Sequence, residues 1–147
     1  MDKIPVIIDC DTGIDDMISF VLTLASKQLD IRGVTTVAGN VSLPYTTYNT
    51  VNGLAFMGRG EIPVAAGEAA PLERPYRDAS EIHGDSGLGA FTFEHPVDYG
   101  PVETGGVEFL YEKLMESEEK ITILALAPLT NIAKLFLEHP DCKEKIE

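Results

Sequence analysis

Basic residues are scarce in this chain: Lys and Arg number 11 against 24 Asp and Glu, for a net charge of −13. Such a surface repels phosphate backbones and anionic lipid, which argues against nucleic acid or a membrane surface as a partner. No apolar run approaches the roughly 18 residues that span a bilayer. The start, Asp2 and Lys3 followed only by the short run Ile4 to Ile8, lacks the shape of a signal peptide. Cysteine is nearly absent. Cys10 and Cys142 lie far apart in sequence and form no metal spacing, so reduced thiols in a cytoplasm are expected. There is no internal repeat, low-complexity tract or linker. No Gly-x-Gly-x-x-Gly follows the first strand and no P-loop lysine is present, which argues against a nucleotide-binding switch.

What is there suits a single domain over residues 1–147, with 44% hydrophobic residues to build a core. Short β-branched runs alternate with longer segments of helical period, the pattern of an α/β domain with an open, mainly parallel sheet and helices on both faces. Strands are expected at Ile4–Asp9, Ile31–Ala38, Ile62–Ala66 and Ile121–Leu126. A first helix is predicted from about Ile14 to Lys27, with Met17, Phe20, Val21, Leu24 and Ala25 on its inner face, widened by Ile18 and Leu22. A second follows Pro44, with Tyr45, Tyr48, Asn52, Ala55 and Phe56 turned inward and both tyrosines in the core. Two more are expected over Thr104–Glu118 and Leu129–Glu138, the last ended by Pro140. The stretch from Gly67 to Pro101, rich in Gly, Pro and polar residues, is long for a loop and reads as either functional or disordered.

Asp9, Asp11, Asp15 and Asp16 fall within eight residues, around Thr12 and Gly13. Strand alternation puts Asp9 and Asp11 on one side and Cys10 on the other. Gly13 permits a sharp turn, and Asp15 and Asp16 open the first helix at the carboxyl end of a strand, where open α/β sheets bind ligands. Capping explains part of this. Thr12 and Asp15 resemble a capping box, and acids favour the first turn of a helix. Four carboxylates crowded at one turn repel, however, and a cation is the natural remedy. The donors are hard oxygens, which suits Ca²⁺ or Mg²⁺ and disfavours zinc. An EF-hand does not fit, because Gly13 stands where it needs Asp or Asn.

The segment Asp9-Cys10-Asp11-Thr12-Gly13-Ile14-Asp15-Asp16 after an apolar strand resembles the N-terminal signature of the inosine–uridine-preferring nucleoside hydrolases. Three further segments resemble that family's motifs in the right order: Thr35–Asn40, His83–Gly89 and Ala127–Ala133. The resemblance covers essentially the whole chain but only the N-terminal half or so of the family's length. It implies a Rossmann-like nucleoside hydrolase fold, truncated, and this chain as the N-terminal part of a longer hydrolase. It also implies a calcium cofactor, a ribonucleoside substrate and a role in purine or pyrimidine nucleoside salvage in the cytoplasm. The expected assembly is a homo-oligomer, or self-association through an exposed sheet edge.

By the same resemblance Asp11 is the general base and a metal ligand. Asp16 is the main metal carboxylate, and the Leu126 backbone carbonyl is a further ligand. Asp15 and Asn40 hold the ribose hydroxyls, His83 lines the pocket near the leaving base, and Asp9 orients the metal site from behind. Thr130 and Asn131 are expected to cap the last helix or brace the loop. In the family a later Asp completes the calcium sphere, and later Asn and His residues hold the ribose and protonate the base. A non-catalytic fragment that keeps the metal-binding loop is therefore the alternative. A haloacid-dehalogenase-like phosphatase, with Asp9 as nucleophile and Asp11 as acid, fits less well. Gly13 stands where that family prefers Thr or Val, and no matching lysine motif follows.

Overall fold

The computed structural model describes residues 3–147. Four strands form one parallel sheet in the order β3-β2-β1-β4. They are β1 (Ile4–Cys10), β2 (Leu29–Thr36), β3 (Val64–Ala66) and β4 (Thr122–Ala125). Each lies inside or within two residues of its expected run. The crossovers are α1 (Ile14–Ala25) between β1 and β2, α2 (Leu43–Phe56) between β2 and β3, and α4 (Gly106–Glu116) before β4. A short α3 (Ser80–His83) precedes α4, and α5 (Thr130–Glu138) follows β4, continuing into a 3₁₀ turn at Pro140–Lys145. Neither α3 nor the 3₁₀ turn was expected, because each is too short to show a period.

β1 is the central strand and is buried on both faces, so its side chains sort by parity. Val6, Ile8 and Cys10 pack with Phe20 of α1 and with Val51 and Leu54 of α2. Ile7 packs on the other side with Leu110 and Leu114 of α4 and Leu135 of α5. Asp9 shares the parity of Ile7, which turns its carboxylate toward α5.

Two helix faces differ from the sequence expectation. In α2 the buried face is Thr46, Thr47, Asn49, Thr50 and Val51 through Leu54, while Tyr45, Tyr48 and Phe56 are exposed. The reason is polar. The first two turns of α2 meet loop backbone rather than apolar core, and hydroxyls and amides satisfy it: Thr46 Oγ1 donates to the Val37 carbonyl (3.1 Å) and Thr47 Oγ1 pairs with Thr36 Oγ1 (2.7 Å). Tyr48 and Phe56 instead meet Phe93 edge-on, and Phe91 joins the cluster. In α1 only Phe20 among the large apolar residues is fully buried. Ile18, Val21 and Leu22 are 59%, 54% and 67% exposed, since the sheet takes one narrow face of the helix and no described element covers the rest.

The long stretch after β3 is ordered by backbone hydrogen bonds. Ala38 N–H donates to the Glu68 carbonyl (2.9 Å) and Ala79 N–H to the Asn40 carbonyl (2.9 Å). Val97 N–H donates to Asn52 Oδ1 (2.9 Å), and Val102 bridges Ala65. That last contact covers the free edge of β3, while β4 forms the opposite edge of the sheet.

Candidate active site

From β1 the chain winds outward to β2 and β3, then returns to lay β4 on the other side of β1. The strand order therefore reverses at β1, and the loops leaving β1 and β4 diverge to open a crevice at their carboxyl ends. Asp11 to Gly13 leave β1 and Leu126 to Leu129 leave β4, while Val37 to Ser42 leave β2 beside them.

Asp11 is buried. Its Oδ2 accepts the Asn40 N–H (2.7 Å), and Asn40 Nδ2 donates to the Asp11 carbonyl (3.2 Å). Gly39 lies directly over this carboxylate, and a Cβ there would collide with it. Asp16 is buried and its Oδ2 accepts the Gly13 N–H (3.0 Å). Asp16 is thus the acid that closes the start of α1, and the expected pairing of Thr12 with Asp15 is not formed. Thr12 turns its hydroxyl into the core instead, 2.6 Å from Thr50 Oγ1. Gly13 makes no left-handed turn; its backbone is extended at φ −112° and ψ −161°. Its missing Cβ serves close approach, because one placed there would stand 2.6 Å from His83 Nδ1 and 2.8 Å from Asn40 Nδ2.

Asp15 is exposed at the mouth, with Oδ1 4.0 Å from His83 Nδ1. That histidine ends α3 and accepts the Ile14 N–H (3.4 Å), so the distant His83 loop closes over the first turn of α1. Leu126 follows β4 and donates its N–H to the Asp9 carbonyl (2.8 Å), which sets it beside the end of β1. The Asp9 side chain is fully buried. Its Oδ1 accepts from Thr35 Oγ1 (2.6 Å) and Asn131 Nδ2 (2.7 Å), while its Oδ2 has no partner.

Burial dominates the electrostatics. It pushes Asp16 up to about 7 against the Gly13 hydrogen bond, and Asp11 and Asp15 raise it further by like charge. Burial likewise lifts Asp9 to about 6, despite Thr35 and Asn131, and holds Asp11 above the ordinary carboxylate range despite the Asn40 N–H. A cation would reverse all three trends. The donors are carboxylate and carbonyl oxygens with an unpartnered buried oxygen behind them, a set that fits a hard cation. Among the described residues no three His, Cys, Asp or Glu side chains stand close enough to form a ligand cluster by themselves. Asp11, Asp16 and the Leu126 carbonyl are the groups that could hold a cation here.

Two residues of the site's frame were missed or underread. Asn49 Nδ2 donates to the carbonyls of Thr12 (3.1 Å) and Ser86 (2.7 Å), joining the β1 loop to the His83 loop. Its one sequence signal is its place among Thr46, Thr47 and Thr50 on one helix side. Asn131 sits inside the first turn of α5 and braces rather than caps. Two cavities of about 430 and 380 Å³ run along α2, one lined by Phe56, Phe91 and Phe93 and the other by Tyr48, Val51 and Tyr99. None of the site residues lines either.

Comparison with known proteins bears on this arrangement. The family described as inosine-uridine preferring nucleoside hydrolase matches residues 6–147. A pyrimidine-specific ribonucleoside hydrolase RihA of Citrobacter koseri is 41% identical over 143 residues, covering 97% of this chain and 46% of the relative. A non-specific ribonucleoside hydrolase RihC of Klebsiella pneumoniae is 40% identical, over 95% of this chain and 45% of the relative. The chain thus spans about half the length of the curated relatives it matches. Among solved structures, the plant nucleoside hydrolase PpNRh1 superposes with a TM-score of 0.90 at 39% identity, covering 97% of this chain and 45% of that one. The purine-preferring ribonucleoside hydrolase of Gardnerella vaginalis gives a TM-score of 0.91 at 24% identity, over 97% and 46%, a likeness of fold.

Proposed function

The chain belongs to the inosine–uridine-preferring nucleoside hydrolase family, and from that premise we propose that it carries the cation and ribose side of a site for calcium-dependent hydrolysis of ribonucleosides. The products are ribose and a free base. The observation that supports this reading best is the pair Asp11 and Asp16, two buried carboxylates raised first by desolvation and then by neighbouring like charge (Asp15 on Asp11, Asp11 and Asp15 on Asp16), set at the switch point of the sheet. Burying two ionised acids beside each other costs a metal-free fold stability that a bound cation would offset. The rival reading as a phosphatase falls with the family membership.

When bound, calcium supplies the positive charge that offsets the crowded acids and orients water and ribose diol. Asp11, Asp16 and the Leu126 carbonyl would hold it, with Asp9 steadying them from the strand. Asp11 then accepts the proton of the attacking water. The Asn40 N–H fixes one oxygen of that carboxylate, and its raised affinity for protons suits a base. Asp15, exposed at the mouth, accepts from a ribose hydroxyl, and the Asn40 carboxamide reaches the diol. Bond cleavage leaves an electron-poor ribose that the nearby carboxylates stabilise, as in other glycoside hydrolysis. His83 stands beside Asp15, toward the leaving base. The relatives' names differ over the base and agree on the ribonucleoside, which supports a reading in which the chemistry sits at the ribose end. Nucleoside salvage in a cytoplasm is the setting proposed for it. Among the described residues no helix is long and apolar enough to cross a membrane. Self-association through the β4 edge is the proposed assembly.

Ribose release by the 147-residue chain, over a panel of purine and pyrimidine nucleosides with calcium present or chelated, tests the reading. Calcium-dependent release that Asp11→Asn lowers by about 10²-fold or more is expected, the usual worth of a general base. Release indifferent to both chelation and Asp11→Asn would refute it. A second reading is a cation-binding but non-catalytic chain. Calcium binding without turnover would select that one.

A further inference from the structure

Asn131 is completely buried, and its carboxamide is used at both ends. Its Nδ2 donates to Asp9 Oδ1 on β1 (2.7 Å) and to the Thr36 carbonyl at the end of β2 (3.0 Å). Its Oδ1 accepts the N–H of Glu68, just past β3 (2.9 Å). One side chain of α5 thus ties together the carboxyl ends of three strands. Gly67 leaves the space, because a Cβ there would stand 2.5 Å from both Asn131 Nδ2 and the Thr36 carbonyl.

Two routes lead from this carboxamide to Asp11. The first runs through Asp9 and two residues along the chain. The second runs through Glu68, whose carbonyl accepts the Ala38 N–H (2.9 Å). Ala38 leads into Gly39, which roofs the Asp11 carboxylate, and then to Asn40, whose N–H holds Asp11 Oδ2 (2.7 Å). The amide's polarity matters at each contact, since only a group with two N–H donors and one acceptor satisfies a carboxylate, a carbonyl and an N–H at once.

We propose that Asn131 is a positioning residue for Asp11, setting both the strand end that carries the acid and the Gly39–Asn40 loop that cages it. This rests on the reading of Asp11 as base and cation ligand. A purely structural brace would change stability and leave the Asn40–Asp11 hydrogen bond alone. The near-isosteric Asn131→Leu variant of the 147-residue chain separates the two roles by amide hydrogen exchange and calcium titration calorimetry. Protection of the Asn40 amide is expected to fall at least about tenfold more than that of Leu110 in the α4 core. Calcium affinity is expected to fall about 10- to 100-fold, the usual effect of losing a group that orients a ligand. Equal loss of protection at Asn40 and Leu110, with calcium affinity retained, overturns the proposal. Should the parent chain take up no calcium, the cation reading fails and the Asn40 amide alone decides this one. Should Asn131→Leu not fold, Gly67→Ala displaces the carboxamide while leaving every donor in place. Selective loss at Asn40 is expected there too, and a uniform change overturns the idea.

Discussion

Replacing Asp16 by Asn should stabilise the calcium-free chain and remove the response to calcium. Burial raises this carboxyl from 3.8 to about 7, so the folded state holds a proton that the unfolded chain has lost. A raised carboxyl stabilises the fold fully only below its unfolded value. Stability then declines as pH rises from about 4 to about 7 and stays low above that. Three units at about 1.4 kcal/mol each make the ionised group about 4 kcal/mol unfavourable near pH 8.5. The asparagine amide accepts the Gly13 N–H less strongly than a carboxylate does, by about 1 kcal/mol. The net gain is about 3 kcal/mol, or roughly 9 °C in Tm for a chain of this size. Near pH 5 Asp16 is already protonated in the fold, and the advantage shrinks below about 1 kcal/mol by the same relation. Calcium at about a thousandfold excess over Kd reverses the order near pH 8.5, since only the parent chain gains binding energy, about 4 kcal/mol, which exceeds the net gain of the variant. Scanning calorimetry of both chains at the two pH values, with chelator and with calcium, gives all the comparisons. An Asp16→Asn chain less stable than its parent in chelator near pH 8.5 would refute the reasoning, for it would make Asp16 a structural cap rather than a strained ligand.

Two further outcomes are expected. Gly39→Ala places a methyl against the Asp11 carboxylate and should lower calcium affinity by about tenfold or more, read by titration calorimetry, with the helical circular dichroism unchanged. The β4 edge, open beyond the Ile121–Ile146 bridge at its start, should make the chain self-associate with rising concentration in sedimentation velocity; a monomer at every concentration would refute the proposed assembly.

The strands were legible in the sequence because β-branched runs between turn residues leave few alternatives. The cluster of acids after β1 was legible because like charges at one turn require a physical explanation. Those two readings put Asp11 and Asp16 at a strand's carboxyl end. Partners were harder. Periodicity ranks residues by hydrophobicity, so it turned Tyr48 and Phe56 of α2 inward, whereas the loops beneath that helix needed Thr46, Thr47, Asn49 and Thr50 to meet their backbone. It also widened the inner face of α1 to Ile18, Val21 and Leu22, which nothing described covers.

Local spacing favoured a bond between Thr12 and Asp15. The tertiary structure gave Thr12 to Thr50 and the cap to Asp16, because a buried hydroxyl takes the partner that packing brings to it. The sequence by itself determined the layered α/β architecture, the strand that bears the acids and the oxygen character of the site, all of which follow from local composition and period. Only the tertiary structure decided that Asn131, 122 residues from Asp9, would hold it. Hydrogen bonds between distant segments exist only once the sheet has brought the strand ends together.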